Sequence, residues 1–537
     1  MDSDTICPIS RLPDGLLCEI FLYIRPFNTR YPQTGLIRDL KAFAKTWWSL
    51  PAVCRYWRII TLDCPRFWST ILFSHPEFTD ILFTRSKNAP LHIEFWDHWT
   101  WNGNSVDAET QRFISQVHSI VKHIPHIAEL SIGLYGKDVW SLFLQGTTGV
   151  KAPMLNSCVL THEGSITLSN AFLGGHAPRL TRLVLKGIHI PWDSPLLQGQ
   201  MTHIELHDVR AQSGDDFQLM FDALARMPAL RHLALTFAKP KSRTDSTCPR
   251  RVVNLLDLLR IELRGPFSCV AYLLRHIVIP IDIYTEIDFG LTRAEQLNSL
   301  SNHFLLRCPS TDPERPRLQP PIRALRVRQE AYDGLTVAAS TQPQHHLFIP
   351  HLTPTCVLYR TQLESIALRF HFPTERAPFV VPILQAFPVN ITNTIELVID
   401  NFQPENAEGW YELSAHLMDV EALVVATPRM AFFDAFAGRV TQPYDEAADE
   451  RDEPVGASGG NLSLARVLFP RMQRFCLDRP RISLVPRNTA LVLLNGLIHR
   501  ECTIGRLPFL CVRGCGEITT AELAELQRHV VEPVIWD

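Results

Sequence analysis

The sequence has no surplus of basic charge. Its 537 residues carry 52 Lys and Arg against 55 Asp and Glu, a formal net charge of −3. A nucleic-acid binder normally shows a basic excess, so no nucleic-acid partner is expected. Long apolar runs are also missing. Residues 377–395 carry no charged side chain, but Pro378, Pro382 and Pro388 interrupt them. A membrane span needs about 20 predominantly apolar residues in a row, so no membrane partner is expected. The opening Met1-Asp2-Ser3-Asp4 is acidic and no apolar region follows, the opposite of a secretory leader. The 13 cysteines are odd in number and fall into no framework spacing. Free thiols in a reducing compartment, cytoplasmic or nuclear, are the expectation.

What is present is apolar material: 46% of the residues are hydrophobic and 9% aromatic. That is enough to fold the chain throughout. Its length exceeds one compact core, so it implies several domains or one elongated repeat domain.

Two amphipathic segments dominate residues 9–75. Leu12-Pro13-Asp14 leads into Leu16, Leu17, Ile20, Phe21 and Ile24, one apolar stripe of a helix. Pro13 suits a helix start, where its missing N–H would be unpaired anyway. The second helix is expected over Ser49 to Ile60, with Leu50, Val53, Cys54, Trp57 and Ile60 as its stripe. Phe67 and Trp68 follow in a short turn. A module this short cannot bury both sides of its helices, and a contiguous exposed apolar patch marks an interaction surface. The same side chains could instead cap the domain behind them.

Leu12-Pro13-Asp14-x-Leu16-Leu17-x-x-Ile20-Phe21, then Val53-Cys54-Arg55-x-Trp57, then Pro65-x-x-Trp68, resembles an F-box in three separated places and in the right order. The chain departs from that pattern with Gly15, with Pro51, and with a long connection from Arg25 to Thr46. The resemblance implies a trihelical F-box-like domain over 9–75, behind a tail at 1–8, that binds a Skp1-type adaptor and through it a cullin. It implies Leu12, Pro13, Leu16, Leu17, Ile20, Phe21, Leu50, Val53, Cys54 and Trp57 as the partner-binding residues.

From about residue 90 the template becomes Leu-x-x-Leu-x-Leu. Copies begin at Ile127, Leu155, Leu180, Met201, Leu230 and Leu256, at intervals of 28, 25, 21, 29 and 26 residues. These fall within the ~20–29 residues of leucine-rich repeats. Each copy reads as a short strand with one buried face. Helix-period stripes lie between copies, at Phe113, Val117, Ile120, Val121 and Ile124, and at Phe217, Met220, Phe221 and Leu224. Looser copies start at Ile322, Leu363, Val420, Met472 and Leu507, with weaker strands at Thr285–Phe289 and Ile395–Ile399. The expected fold is α/β: the F-box, then an irregular leucine-rich-repeat-like solenoid over 90–537. A capping box, Thr519-x-x-Glu522, announces a last helix. Residues 440–462, acidic then Gly-rich, are expected to form a disordered loop.

Chemistry is suggested and then fails. Gly456-Ala457-Ser458-Gly459-Gly460 matches Gly-x-Ser-x-Gly but lacks the strand and helix that a nucleophile elbow needs. Cys511 and Cys515 have no second ligand pair. His118, His123 and His126 have no acidic or cysteine partner at ligand spacing, and His345-His346 falls in a polar loop. No catalytic residue, metal or cofactor is expected. The resulting expectation is a non-catalytic substrate-recognition adaptor of a Skp1-cullin-F-box ubiquitin ligase. Its repeats would receive an unknown protein substrate, at strand positions such as Thr181, Arg182, Arg231 and His232. An F-box scaffold acting outside a ligase is the alternative, and a hydrolase using Ser458 a distant third.

Overall fold

The computed structural model describes residues 9, 12–23, 47, 49–73, 76–96, 106–134, 137–210, 214–238, 252–280, 283–289, 324–330, 334–340, 366–371, 394–400, 404, 406–426, 428, 430–438, 466–478, 489–513 and 518–536. The expected disordered loop, the 1–8 tail, Ser458, Cys515, His345 and His346 lie outside these. The protein is mixed α/β with parallel sheets. It divides into two compact units, residues 1–210 with 218–232, and 211–217 with 233–537.

In the first unit, α1 (Asp14–Tyr23) and α2 (Arg55–Asp63) precede β1 (Thr70–Leu72). Then come α3 (Pro76–Ser86), β2 (Leu91–Trp96), α4 (Val106–His123), β3 (Ile127–Gly133), α5 (Lys137–Thr147), β4 (Ser157–Thr167), β5 (Arg182–His189) and β6 (His203–Val209). Every strand pairs in parallel with the next in chain order, β1 through β6. The leucine template explains which face is buried. In four of the copies the first apolar residue is buried just ahead of the strand, at Leu155, Leu180, Met201 and Leu230. The second and third fill the core from within it, as Leu183 and Leu185 do. The predicted helix stripes are also where expected, with Val117 and Ile120 of α4 buried along with Ile124 just beyond it.

A β-bulge interrupts β4 against β5 between Thr161 and Ile166. Gly187, at φ 67°, lets β5 pass directly under the His162 carbonyl, where a Cβ would collide with backbone. His162 is buried, with Nδ1 3.0 Å from the Leu134 carbonyl, to which Trp140 Nε1 also donates at 2.8 Å.

The boundary between units runs through α6 (Gly214–Ala225) and β7 (His232–Phe237). Phe217, Met220, Phe221 and Leu224 are all buried, as their spacing predicts. The second unit continues with β8 (Val253–Asn254), β9 (Arg260–Gly265), α7 (Phe267–His276), β10 (Ile277–Val278) and β11 (Tyr284–Phe289). It goes on through β12 (Ala324–Glu330), β13 (Gly334–Ser340), β14 (Ile366–His371), β15 (Glu396–Asp400), α8 (Ala407–His416), β16 (Ala422–Ala426) and α9 (Met430–Phe436). It closes with β17 (Arg474–Asp478), α10 (Thr489–Thr503), β18 (Phe509–Arg513), α11 (Thr520–Arg528) and β19 (Ile535–Trp536). β8 and β10 form a separate parallel pair.

The sixth template copy is corrected. Leu256 and Leu259 are 55% and 65% exposed, while Leu258, Ile261 and Leu263 are buried. The repeat therefore reads Leu258-x-x-Ile261-x-Leu263, starting at 258 instead of 256. Leu256, Leu258, Leu259, Ile261 and Leu263 are all apolar, which made both registers legible in sequence.

Strand order in the second unit also departs from chain order between β9 and β15. β9 pairs β11 and β11 pairs β14, both in parallel. β14, β13 and β12 then form an antiparallel meander, and β12 pairs β15 in parallel. From β15 to β19 chain order and parallel pairing resume. Arg500 of α10 is buried and bonds the carbonyls of Leu468, Phe469, Pro470 and Met472, the last at 2.6 Å. One guanidinium thus satisfies a turn that would otherwise bury bare carbonyls. The last helix has its predicted cap: Thr519 N–H donates to Glu522 Oε2 at 2.9 Å and Glu522 N–H to Thr519 Oγ1 at 3.2 Å. β19 follows it and adds a strand to β18.

Among the described residues no helix is long and apolar enough to cross a membrane.

Candidate partner-docking site

The second amphipathic segment is not one helix. Residues 49–53 are helical, Cys54 is extended at φ −158° and ψ 168°, and α2 starts at Arg55. Cys54 caps α2, its Sγ accepting from the Trp57 N–H at 3.4 Å. Pro51 disrupts neither piece. Chain direction changes at Cys54, which swings α2 against α1.

Two polar links fix that packing. Tyr56 donates its hydroxyl to Asp14 Oδ1 at 2.6 Å, at the first turn of α1. The bond to Asp14, some burial and the nearby carboxylate charge all raise the Tyr56 phenol above its ordinary value. Arg66, in the 3-10 turn Pro65–Trp68, pairs with Glu19 of α1 at 2.5 Å, and both side chains are exposed. Such exposed pairs stabilise little. A covalent tie adds to them: Cys18 of α1 is disulfide-paired with Cys64, their Cα atoms 6.8 Å apart. The expectation of free thiols is corrected at these two positions. It holds at Cys54, Cys158, Cys269, Cys476, Cys502 and Cys511.

The stripe read from the sequence divides into two sets. Leu17, Phe21 and Leu50 are buried, and Phe21 packs on Trp57 with ring centroids 4.8 Å apart. Trp57 and Leu12 are half-buried. These residues form the interior of the module. Pro13, Leu16, Ile20, Val53 and Cys54 are exposed, Leu16 at 50% and Val53 at 58%. Ile59, 50% exposed, and Tyr23 were not in the predicted set, yet they too are open apolar side chains on the same two helices. Adjacent leucines such as Leu16 and Leu17 have indistinguishable periodicity. Only the line along which α2 crosses α1 decides which one faces inward.

Behind the module Trp47, Phe67 and Trp68 interlock, with Trp47 and Phe67 centroids 5.0 Å apart. Trp68 Nε1 donates to the Thr61 carbonyl at 2.7 Å, and Arg85 of α3 lies over its ring at 4.4 Å. The two large aromatics of the predicted turn are therefore core, tying the helices to β1.

A second polar region lies on the sheet of the first unit. Parallel register places Arg182 of β5 beside His203 of β6. The N–H groups of Arg231 and His232 then donate to the Thr202 carbonyl, as those of Thr202 and His203 do to Thr181 and those of Thr181 and Arg182 to Asn156. Arg182, His203 and His232 thus stand in one row, and the imidazoles of His203 and His232 are 4.1 Å apart. One step along the strands sits Glu205, 2.9 Å from His207 Nε2 and 3.5 Å from Lys186 Nζ. Burial would raise the Glu205 carboxyl, but the His207 bond and the charges of Lys186, His207 and His203 outweigh it and hold the pKa at about 2.

Ser165 and Cys158 do not assemble a nucleophilic site. Ser165 Oγ is 2.9 Å from His189 Nε2, and Arg210 also donates to it. Burial and the Arg210 charge lower the His189 pKa, with Asp208 opposing. Among the described residues no carboxylate bonds the other ring nitrogen, so the orienting third member of a nucleophilic site is missing. Burial pushes the Cys158 thiol up to about 12, which leaves it inert at neutral pH. His118 and His126 are exposed, and His123 stacks on Phe83 at 4.3 Å. Among the described residues no group of His, Cys, Asp and Glu could hold a metal ion.

Comparison with protein-family models finds none that matches the chain, and comparison with curated proteins finds no match either.

Proposed function

We propose that this protein is a non-catalytic adaptor whose N-terminal helices dock on a Skp1-type partner and whose strand arrays receive a second protein. In this reading α1, the helical residues 49–53 and α2 form an F-box-like module, and the parallel strands are the inner layer of an irregular leucine-rich-repeat-like solenoid. The Skp1-type partner links the chain to a cullin in a ubiquitin ligase, in the cytoplasm or nucleus. Tethering raises the effective concentration of substrate lysines near the charged enzyme, so the adaptor requires no catalytic residue or cofactor of its own.

One observation carries the docking half. The helices bury Leu17, Phe21 and Leu50 among themselves and leave Leu16, Ile20, Val53 and Ile59 open. Open apolar side chains on these short helical pieces are the composition of a partner-binding core. Phe21 packs on Trp57 within the module, so its burial uses none of those open side chains. The repeat half is supported by leucine-template residues buried in successive strands that pair in parallel with their chain neighbours.

The test uses the two exposed positions. The double variant Leu16→Asp with Val53→Asp is expected to lose capture of a purified Skp1-type protein. Its unfolding free energy should stay within about 0.5 kcal/mol per substitution of the parent, as surface changes do. Undiminished capture by a folded variant refutes the docking reading.

A further inference from the structure

We infer that the polar row on β5, β6 and the first residue of β7 is a receiving surface for an acidic, extended peptide segment of the recruited protein. This rests on the adaptor reading and deepens it by naming the chemistry of the recruited segment.

The row combines a guanidinium and two imidazoles in register. Arg182 is half-buried and its Nε is shielded from solvent, with no hydrogen-bond partner among the described residues. A guanidinium in that state favours an incoming carboxylate or phosphoryl group, because the bond it forms is charge-assisted and shielded. Lys186 and His207 stand next along the same strands, and the one acid among them, Glu205, is already held by both. Within the first unit, Glu94 on β2 and Glu129 on β3 lie on other strands, the latter 3.3 Å from His92, and Glu262 and Glu286 of β9 and β11 are paired with Arg260 and Arg264. The row of Arg182, His203 and His232 itself contains no acid, and it complements negative charge.

Spacing sets the form of the ligand. Neighbouring strands are about 4.8 Å apart, so Arg182 and His232 are separated by roughly 10 Å, the rise of about three residues of polyproline II chain. With three residues per turn, a segment in that extended form crossing the strands turns the acids at every third position onto one face, over this row. The backbone of such a segment lies across the sheet, so recognition comes from side-chain charge and not from strand addition.

The experiment uses the full chain with a fluorescein-labelled peptide carrying aspartate at every third position. Matched peptides carry asparagine or phosphoserine there, and binding is read by fluorescence polarisation. The aspartate or the phosphoserine peptide should bind, the asparagine peptide at least about tenfold more weakly, and salt should weaken binding steeply. Arg182→Gln should weaken the anionic peptides about tenfold, and Glu94→Gln should leave them unchanged. Equal binding of the asparagine peptide, insensitivity to salt, or undiminished binding by Arg182→Gln overturns the inference, as does failure of every peptide to bind. The assay contains no Skp1-type protein. Failure here with Skp1-type capture intact removes only this surface. Loss of capture with peptide binding intact removes only the docking reading.

Discussion

The strands β2 to β6 of the first unit and β15 to β18 of the second solve one face identically and the other face oppositely. In both, the residues at either side of the strand centre are apolar and buried: Ile204 and Leu206 in β6, Leu423 and Val425 in β16. The residue between them differs. Along the first ladder it is Glu94, Ser131, Val159, Val184 and Glu205, brought into one row by the register. Along the second it is Val398, Val424, Cys476 and Cys511, a buried apolar cluster with Phe509 and Ile535 packed against it. The leucine template therefore specifies the fold's interior and leaves the opposite face free to diverge. Chemistry is carried where divergence left it polar.

The comparison breaks first at Val424. Val424→Glu places a carboxylate in that buried apolar row, where the nearby Arg513 already bonds Cys511, and should destabilise by about 2 kcal/mol or more in urea unfolding. A cost near zero would mean that the second face is as open as the first.

Glu205, at the corresponding position of β6, sharpens it. The folded carboxyl lies below its ordinary value of 4.5, at about 2. Its stabilisation is therefore full above the ordinary value and disappears as pH falls from about 4.5 toward 2. Glu205→Gln should cost about 1–3 kcal/mol at pH 7 and converge on the parent near the acid end of that window. A difference independent of pH would assign the loss to packing instead.

The smallest effect is expected at Ser131, half-buried in the same row. Ser131→Val should change unfolding free energy by no more than about 0.5 kcal/mol. A larger penalty would show that the Ser131 hydroxyl is a structural requirement and that this position is not a tolerant surface.

Much of this was legible in the sequence. Alternation exposed the strands because a buried face imposes a period of two, and Thr519 with Glu522 announced the last helix. β1 escaped notice because Thr70–Leu72 is too short to show a period. β13 escaped because an antiparallel strand inserted between repeats has no reason to follow the leucine template. The turn at Cys54 has no local signature either: the residues on both sides fit one helical wheel, and the break follows from how α2 seats on Phe21. The polar row of Arg182, His203 and His232 required register, which spans residues far apart in sequence. Its members Arg182 and His232 were visible as strand positions, but their alignment was not.

The inverted meander has a kinetic consequence. In the first unit each strand meets its partner soon after it emerges, as β6 begins at 203 after β5 ends at 189. Growth there can proceed one strand at a time behind a ribosome. In the second, β11 ends at 289 and waits for β14 at 366, while β12 ends at 330 and waits for β15 at 396. Such distant closures carry a larger loop entropy and slow assembly. During synthesis the edge of β11 stays uncovered the longest, making it the place where a chaperone or a misplaced strand would first take hold.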